Sequence, residues 1–183
     1  MKSQFLIDLE EIQKQARHNL HQGAVTSQYA LDLDTVYSML NAALATEIIC
    51  TLRYKKHYFK AMELGASIAS QEFLEHSNQE QEHADTIAER IVQLGGEPDY
   101  NPSHIVSRAH ANYVDCGTVK EMIRENLIAE RIAIDIYRKM VQFIGDADPT
   151  TRKIIETILA VEEEHADDLL DLAAEYDLSL EEE

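Results

Sequence analysis

Residues 80–83 read Glu80-Gln81-Glu82-His83, and residues 162–165 read Glu162-Glu163-Glu164-His165. Each Glu-x-x-His sits in the middle of a long segment whose apolar residues recur at steps of three and four, the period of one helix face. Spacing i to i+3 puts acid and imidazole on that same face. The first segment carries the stripe Phe73, His76, Glu80, His83, Ile87, Ile91, and the second carries Ile155, Ile158, Glu162, His165, Leu169, Leu172. Working outward, each is preceded by another long periodic segment with one acid on its stripe. These read Val36, Leu40, Ala43, Glu47, Cys50, Tyr54, Tyr58 and Ile123, Leu127, Glu130, Ile134, Tyr137, Val141. Glu47 precedes Glu80 by 33 residues, and Glu130 precedes Glu162 by 32. A tyrosine follows each first acid after seven residues (Tyr54, Tyr137). One Glu-x-x-His in a Glu-rich chain means little, but two in a matched repeat mark a site with approximate two-fold symmetry.

The boundaries follow from turn residues and caps. The periodicity predicts helices over residues 34–64, 67–94, 118–144 and 148–176. Asp34 reads as the first cap, and Gly65, Gly95-Gly96 and Gly145 as stops. Only a few residues join the first to the second and the third to the fourth, so each pair is expected to be an antiparallel hairpin. About twenty residues, 96–117, separate the hairpins. A helix of about 27 residues is about 40 Å long, a distance such a crossover can run back along. The expected fold is all-α, a four-helix bundle spanning residues 31–183, with a short crossover helix over 103–112. An N-terminal extension, residues 1–30, is expected to hold a short helix over 3–20. Scarce Gly (6) and Pro (3) in 183 residues agree with an all-α chain.

Four glutamates and two histidines thus point at the bundle axis at mid-height. An unpaired carboxylate there costs several kcal/mol or takes up a proton. Two divalent cations match four carboxylate charges and leave both imidazoles neutral. Carboxylate and imidazole ligation without thiolate suits iron or manganese better than a structural zinc site. The predicted metal ligands are therefore Glu47, Glu80, His83, Glu130, Glu162 and His165.

The phrases Leu127-Ile-Ala-Glu130-Arg, Glu80-Gln-Glu-His83-Ala-Asp and Glu162-Glu-Glu-His165 resemble those of the bacterioferritins and of Dps-like ferritins with a bacterioferritin-type centre. The likeness runs over residues 34–176 and implies the ferritin-like connectivity of hairpin, crossover, hairpin. It implies two irons per subunit, His83 and His165 each capping one, with Glu47 and Glu130 terminal or bridging in step with Glu80 and Glu162. Glu80 and Glu162, the acids tied to the histidines, are expected to bridge, which leaves Glu47 and Glu130 terminal. It further implies oxidation of Fe(II) by dioxygen or hydrogen peroxide and storage of the mineral in a hollow shell. Haem-binding bacterioferritins place a methionine after the glutamate of the first Glu-x-x-His. Here that residue is Gln81, so no haem is expected. Few residues follow His165, too few for a fifth channel-lining helix, and a dodecamer is expected over a 24-mer. Some relatives carry a cysteine pair near the metals, whereas here Cys50 lies one turn from Glu47 and Cys116 lies in the crossover.

Other features have plainer readings. Tyr54 and Tyr137 are either core tyrosines or hydrogen-bond partners of the ligand acids, Tyr54 then serving as an electron donor. His76 reads as a packed or pore-side histidine rather than a ligand. Glu82, Glu163 and Glu164 fall off the stripes and read as solvated, and Arg53, Lys55, Lys56 and Lys60 read as a basic cluster on the first helix. A formal charge of −18 attracts cations and argues against DNA or anionic membranes as partners. No export signal is visible, no apolar run reads as long enough to cross a bilayer, and two unpatterned cysteines suggest reduced thiols in the cytoplasm. The alternative function is a standalone two-metal enzyme, a rubrerythrin-like peroxidase or a manganese catalase. The former usually adds a Cys-x-x-Cys domain that this sequence lacks.

Overall fold

The computed structural model describes residues 8–180, and among them every regular element is helical: α1 (Leu9–Gln15), a 3-10 turn (Leu20–Gln22), α2 (Leu33–Glu63), α3 (Ser67–Gln93), α4 (Pro102–Arg108), α5 (Val119–Ile144) and α6 (Pro149–Glu175). The four long helices are those the periodicity predicts. α2 packs along α3 and α5 along α6, the hairpins meet through α3–α6 and α2–α5, and α4 lies against α2.

The caps explain the boundaries. α2 begins one residue earlier than expected and its cap lies two residues earlier, because Asp32 rather than Asp34 accepts the Thr35 backbone N–H at 2.9 Å. It stops at Gly65, whose φ of +74° lets the Ala66 N–H reach back to Ala61 O at 2.9 Å. α5 opens on a capping box between Thr118 and Glu121. Proline at the first turn of α6 follows its cap, Asp148. The crossover helix is shorter than expected, Pro102–Arg108 rather than 103–112. Asn101 caps it, Pro102 opens it, and the backbone turns extended at Ala109. The extension helix is also shorter: of the expected 3–20, residues 3–7 lie outside the described residues, and α1 ends at Gln15. It buries none of its residues, so no packed face props further turns.

The apolar core is split. One cluster (Val36, Leu40, Leu44, Ile87, Ile91, Tyr137, Ile144, Ile155, Ile158) fills one end of the bundle. Another (Tyr54, Phe73, Met122, Ile123, Leu169, Leu172) fills the other. Along each long helix the acid or Glu-x-x-His falls between its contributions to the two clusters. Tyr58, Leu127 and Val141 end up only half-buried at the stripe edges.

Two expectations about the surface fail. α2 is long and apolar enough, by length and composition, to cross a bilayer, with a mean hydropathy of 1.3 over its most apolar window. Its alanine-rich stretch is apolar for a different reason: it packs against α3 on one side and α4 on another, and half of that window is buried. Arg53 is not part of a basic surface cluster but 1% exposed.

Candidate metal centre

The structure brings all six predicted ligands together, Glu47 from α2, Glu80 and His83 from α3, Glu130 from α5, and Glu162 and His165 from α6. All six are buried, His83 being the most exposed at 8%. They divide into two overlapping groups, Glu47–Glu80–His83–Glu162 and Glu80–Glu130–Glu162–His165, each with ligand atoms within 4.8 Å of one another. His83 Nδ1 lies 3.4 Å from Glu47 Oε2, 3.6 Å from Glu80 Oε2 and 3.0 Å from Glu162 Oε1. His165 Nδ1 lies 3.7 Å from Glu80 Oε1, 4.0 Å from Glu130 Oε2 and 3.5 Å from Glu162 Oε2. Glu80 and Glu162 therefore offer one oxygen to each group, whereas Glu47 and Glu130 each serve one. Donor atoms about 2.1 Å from a common ion stand about 3–4 Å apart, and the six imidazole–carboxylate distances run from 3.0 to 4.0 Å.

A second observation tests the fit. Glu47 Oε2, Glu80 Oε1, His83 Nδ1, Glu130 Oε2, both Glu162 oxygens and His165 Nδ1 are buried without a hydrogen-bond partner among the described residues. Buried polar atoms are rarely left so, because each costs about 1–3 kcal/mol. Seven orphaned ligand atoms converging on two points are accounted for by cations.

The electrostatics agree. Burial, and then the charges of Glu80 and Glu162, push the carboxyls of Glu47 and Glu130 well above the ordinary range. Burial and Glu80 push Glu162 up as well. Burial also acts to raise Glu80, but its close contacts with His83 and Glu47 and the nearby imidazoles hold it down to about 2. Burial acts to lower His83, and its contacts with Glu162, Glu47 and Glu80 outweigh that and raise it. Without cations the cluster holds protons. Cations bound there would replace those protons and leave the ligands in their coordinating forms.

The surrounding shell orients the ligands. Gln79 Oε1 accepts from His165 Nε2 at 2.9 Å, which puts the ring proton on Nε2 and leaves Nδ1 facing the carboxylates. The Tyr54 hydroxyl donates to Glu130 Oε1. The repeat suggests the same for Tyr137, yet its hydroxyl has no partner among the described residues, so the two-fold symmetry stops at the ligands. His76 is packed, with its ring stacked on His165 at a centroid separation of 4.0 Å. Glu82, Glu163 and Glu164 are exposed, as expected.

Sequence reading missed a buried polar set behind the centre. Arg53 donates to Asn126 Oδ1 (2.9 Å) and Asn112 O (3.1 Å), and His57 Nδ1 lies 3.1 Å from the same Asn126 oxygen. The available signal was a second stripe on α2, Thr46, Ile49, Arg53, His57, at steps of three and four. Cys50 is buried and Cys116 half-buried, and both are free thiols.

A protein-family model for the ferritin-like domain matches residues 37–179. The chain belongs to the ferritin-like family. It is 31% identical over 134 residues to the nutrient stress-induced DNA-binding protein of a Synechococcus strain, covering 69% of this chain and 74% of that one. It is 27% identical over 143 residues to the bacterioferritin of Rhodobacter capsulatus, covering 78% and 84% respectively. Among solved structures, the dodecameric thioferritin of Bacteroides fragilis, a bacterioferritin-related protein, superposes with a TM-score of 0.74. The two are 32% identical, covering 80% of this ferritin-like chain and 89% of the other.

Proposed function

We propose that this ferritin-like protein is a ferroxidase that binds two iron ions per subunit, oxidises Fe(II) with dioxygen or hydrogen peroxide, and holds the ferric product in a homo-oligomeric shell. The observation that carries the reading is the pair of ligand groups that share Glu80 and Glu162, seven of whose buried atoms have no hydrogen-bond partner among the described residues. Iron is the substrate, and carboxylate–imidazole ligation suits it, with manganese the other metal of matching chemistry. Glu80 and Glu162, which belong to both groups, would hold both ions, with Glu47 and His83 completing one group and Glu130 and His165 the other. Tyr54, hydrogen-bonded to Glu130, orients that carboxylate and is a phenol in direct contact with a ligand acid, placed to supply an electron. The apolar clusters above and below keep bulk water from the centre.

The shell is favoured by the net charge of −18, which would make a compact cluster self-repelling unless the acids line a cavity and pores that draw in cations. The same charge argues against DNA binding, although two relatives are named for it. Gln81 is exposed and hydrogen-bonds Asp85, and it offers no thioether to haem. Two free thiols suit a cytoplasmic location.

The test is Glu80→Ala. Rapid Fe(II) oxidation should be lost while the helical circular dichroism is kept. A rate within a few-fold of the parent would refute the assignment.

A further inference from the structure

A third cluster stands outside the six ligands. Glu72, His76 and Asp168 bring ligand atoms within 4.8 Å of one another, from α3 and α6. His76 Nε2 lies 3.2 Å from Glu72 Oε1 and 3.5 Å from Asp168 Oδ2. These separations again match ligands sharing one ion at about 2.1 Å. His76 is 1% exposed, and among the described residues neither of its ring nitrogens makes a hydrogen bond. A buried imidazole whose Nε2 faces two carboxylates without hydrogen-bonding either presents the donor set of a cation site.

Location gives the cluster a role. On its outer side lies a concavity of about 410 Å³ between α3 and α6, lined by Ile68, Glu72, Asp168, Asp171, Leu172 and Glu175. Four of these six residues are acids, so the groove concentrates cations. On its inner side His76 stacks on His165 at 4.0 Å and meets the edge of Tyr54 at 5.1 Å. The packed His76 thus touches solvent chemistry through Glu72 and Asp168 and the buried centre through His165.

We infer that Glu72, His76 and Asp168 form a third divalent-cation site, and that Fe(II) passes through it between the α3–α6 groove and the buried centre. The transit role rests on the ferroxidase reading, and the binding site does not.

Equilibrium titration with Co(II) separates the two. The parent should bind three ions per chain. Glu72→Gln combined with Asp168→Asn changes two side chains that are half-buried at the surface, and it should bind two, the third being weakened at least about tenfold. Glu80→Ala should keep the third ion while losing ions at the buried centre. A parent that binds only two ions, or a double variant that binds as many as the parent, overturns the third site. Loss of one ion in the double variant supports it whatever Glu80→Ala does. Retention of every ion by Glu80→Ala overturns the buried centre instead. At subsaturating Fe(II) the double variant should oxidise iron about tenfold more slowly, the scale of a lost electrostatic funnel. An unchanged initial rate overturns the transit role.

Discussion

Tyr54 illustrates how one hydroxyl is committed by its surroundings. Burial, then the charges of Glu130 and Glu80, raise its pKa well above the ordinary phenol value, so it remains a hydrogen-bond donor across the working pH range. Its acceptor, Glu130 Oε1, is the oxygen that does not face His165, whose Nδ1 is nearer Oε2. The phenol thereby fixes which carboxylate oxygen is left for a metal. Tyr54→Phe keeps the ring packed against Phe73 and His76 but frees the Glu130 carboxylate to rotate. Metal affinity at the Glu130–His165 group should fall by about tenfold, the usual scale for losing a partner of a ligand, with little change in melting temperature. Anaerobic Co(II) titration alongside thermal unfolding checks this. Equal affinity in the variant shows the hydroxyl to be an ordinary core group.

At the scale of the elements, two contacts hold helix ends. Asp148 caps α6 through Thr151 N at 2.9 Å, and its two oxygens take Arg90 Nη2 from α3 at 2.9 and 3.0 Å. Tyr29 of the extension donates to it at 2.9 Å, so one carboxylate ties α3, α6 and the N-terminal segment together. Burial acts to raise the Asp148 carboxyl, but hydrogen bonds from Thr151, Tyr29 and Arg90 hold it below the ordinary value. A folded value below the unfolded one stabilises fully above about pH 4, and the contribution is lost as pH falls through the lower folded value. Asp148→Asn should therefore cost about 3 kcal/mol near neutrality, as for a buried pair stripped of one charge, and the gap should close as pH drops below about 4. Urea unfolding at a series of pH values measures both. The α3 end is held differently. A Cβ on Gly96 would lie 2.6 Å and 2.7 Å from ring carbons of Tyr37, whose hydroxyl donates to Leu94 O at 2.7 Å. Gly96→Ala should destabilise by about 1–3 kcal/mol, the cost of overpacking, without altering the metal centre. Chemical denaturation midpoints with and without Co(II) provide the check.

For the whole molecule, the decisive quantity is particle mass. The bundle exposes several large apolar side chains on its outer helices, including Leu52 and Phe59 of α2 and Ile128 and Ile132 of α5. It also carries a strong negative charge. Apolar contact faces joined to an acidic remainder suit an assembly in which cations, not protein groups, meet the acids. Light scattering or native mass spectrometry should return a mass near twelve chains. A stable dimer at micromolar concentration points instead to a standalone two-metal peroxidase or catalase.

The sequence by itself determined the four long helices and the six side chains that converge. Both depend on a helical period of 3.6 residues, and that period is local: the positions of Glu47, Glu80, His83, Glu130, Glu162 and His165 on their stripes need no knowledge of a neighbouring helix. Their pairing with the histidines in Glu-x-x-His also pointed to Glu80 and Glu162 as the shared acids. Tertiary structure decided whatever depends on how the helices are set beside one another. Arg53 looked like a surface cation because its partners, Asn112 and Asn126, come from the crossover and α5. Tyr54 and Tyr137 occupy equivalent places in the repeat, yet only Tyr54 reaches a ligand acid, since register and rotation between the two hairpins are not equal. His76 has no visible partner along its own stripe except Glu72 four residues earlier, and Asp168 joins them only because α3 and α6 lie side by side. A one-dimensional period assigns each residue to a face, and the packing of the faces assigns its partner.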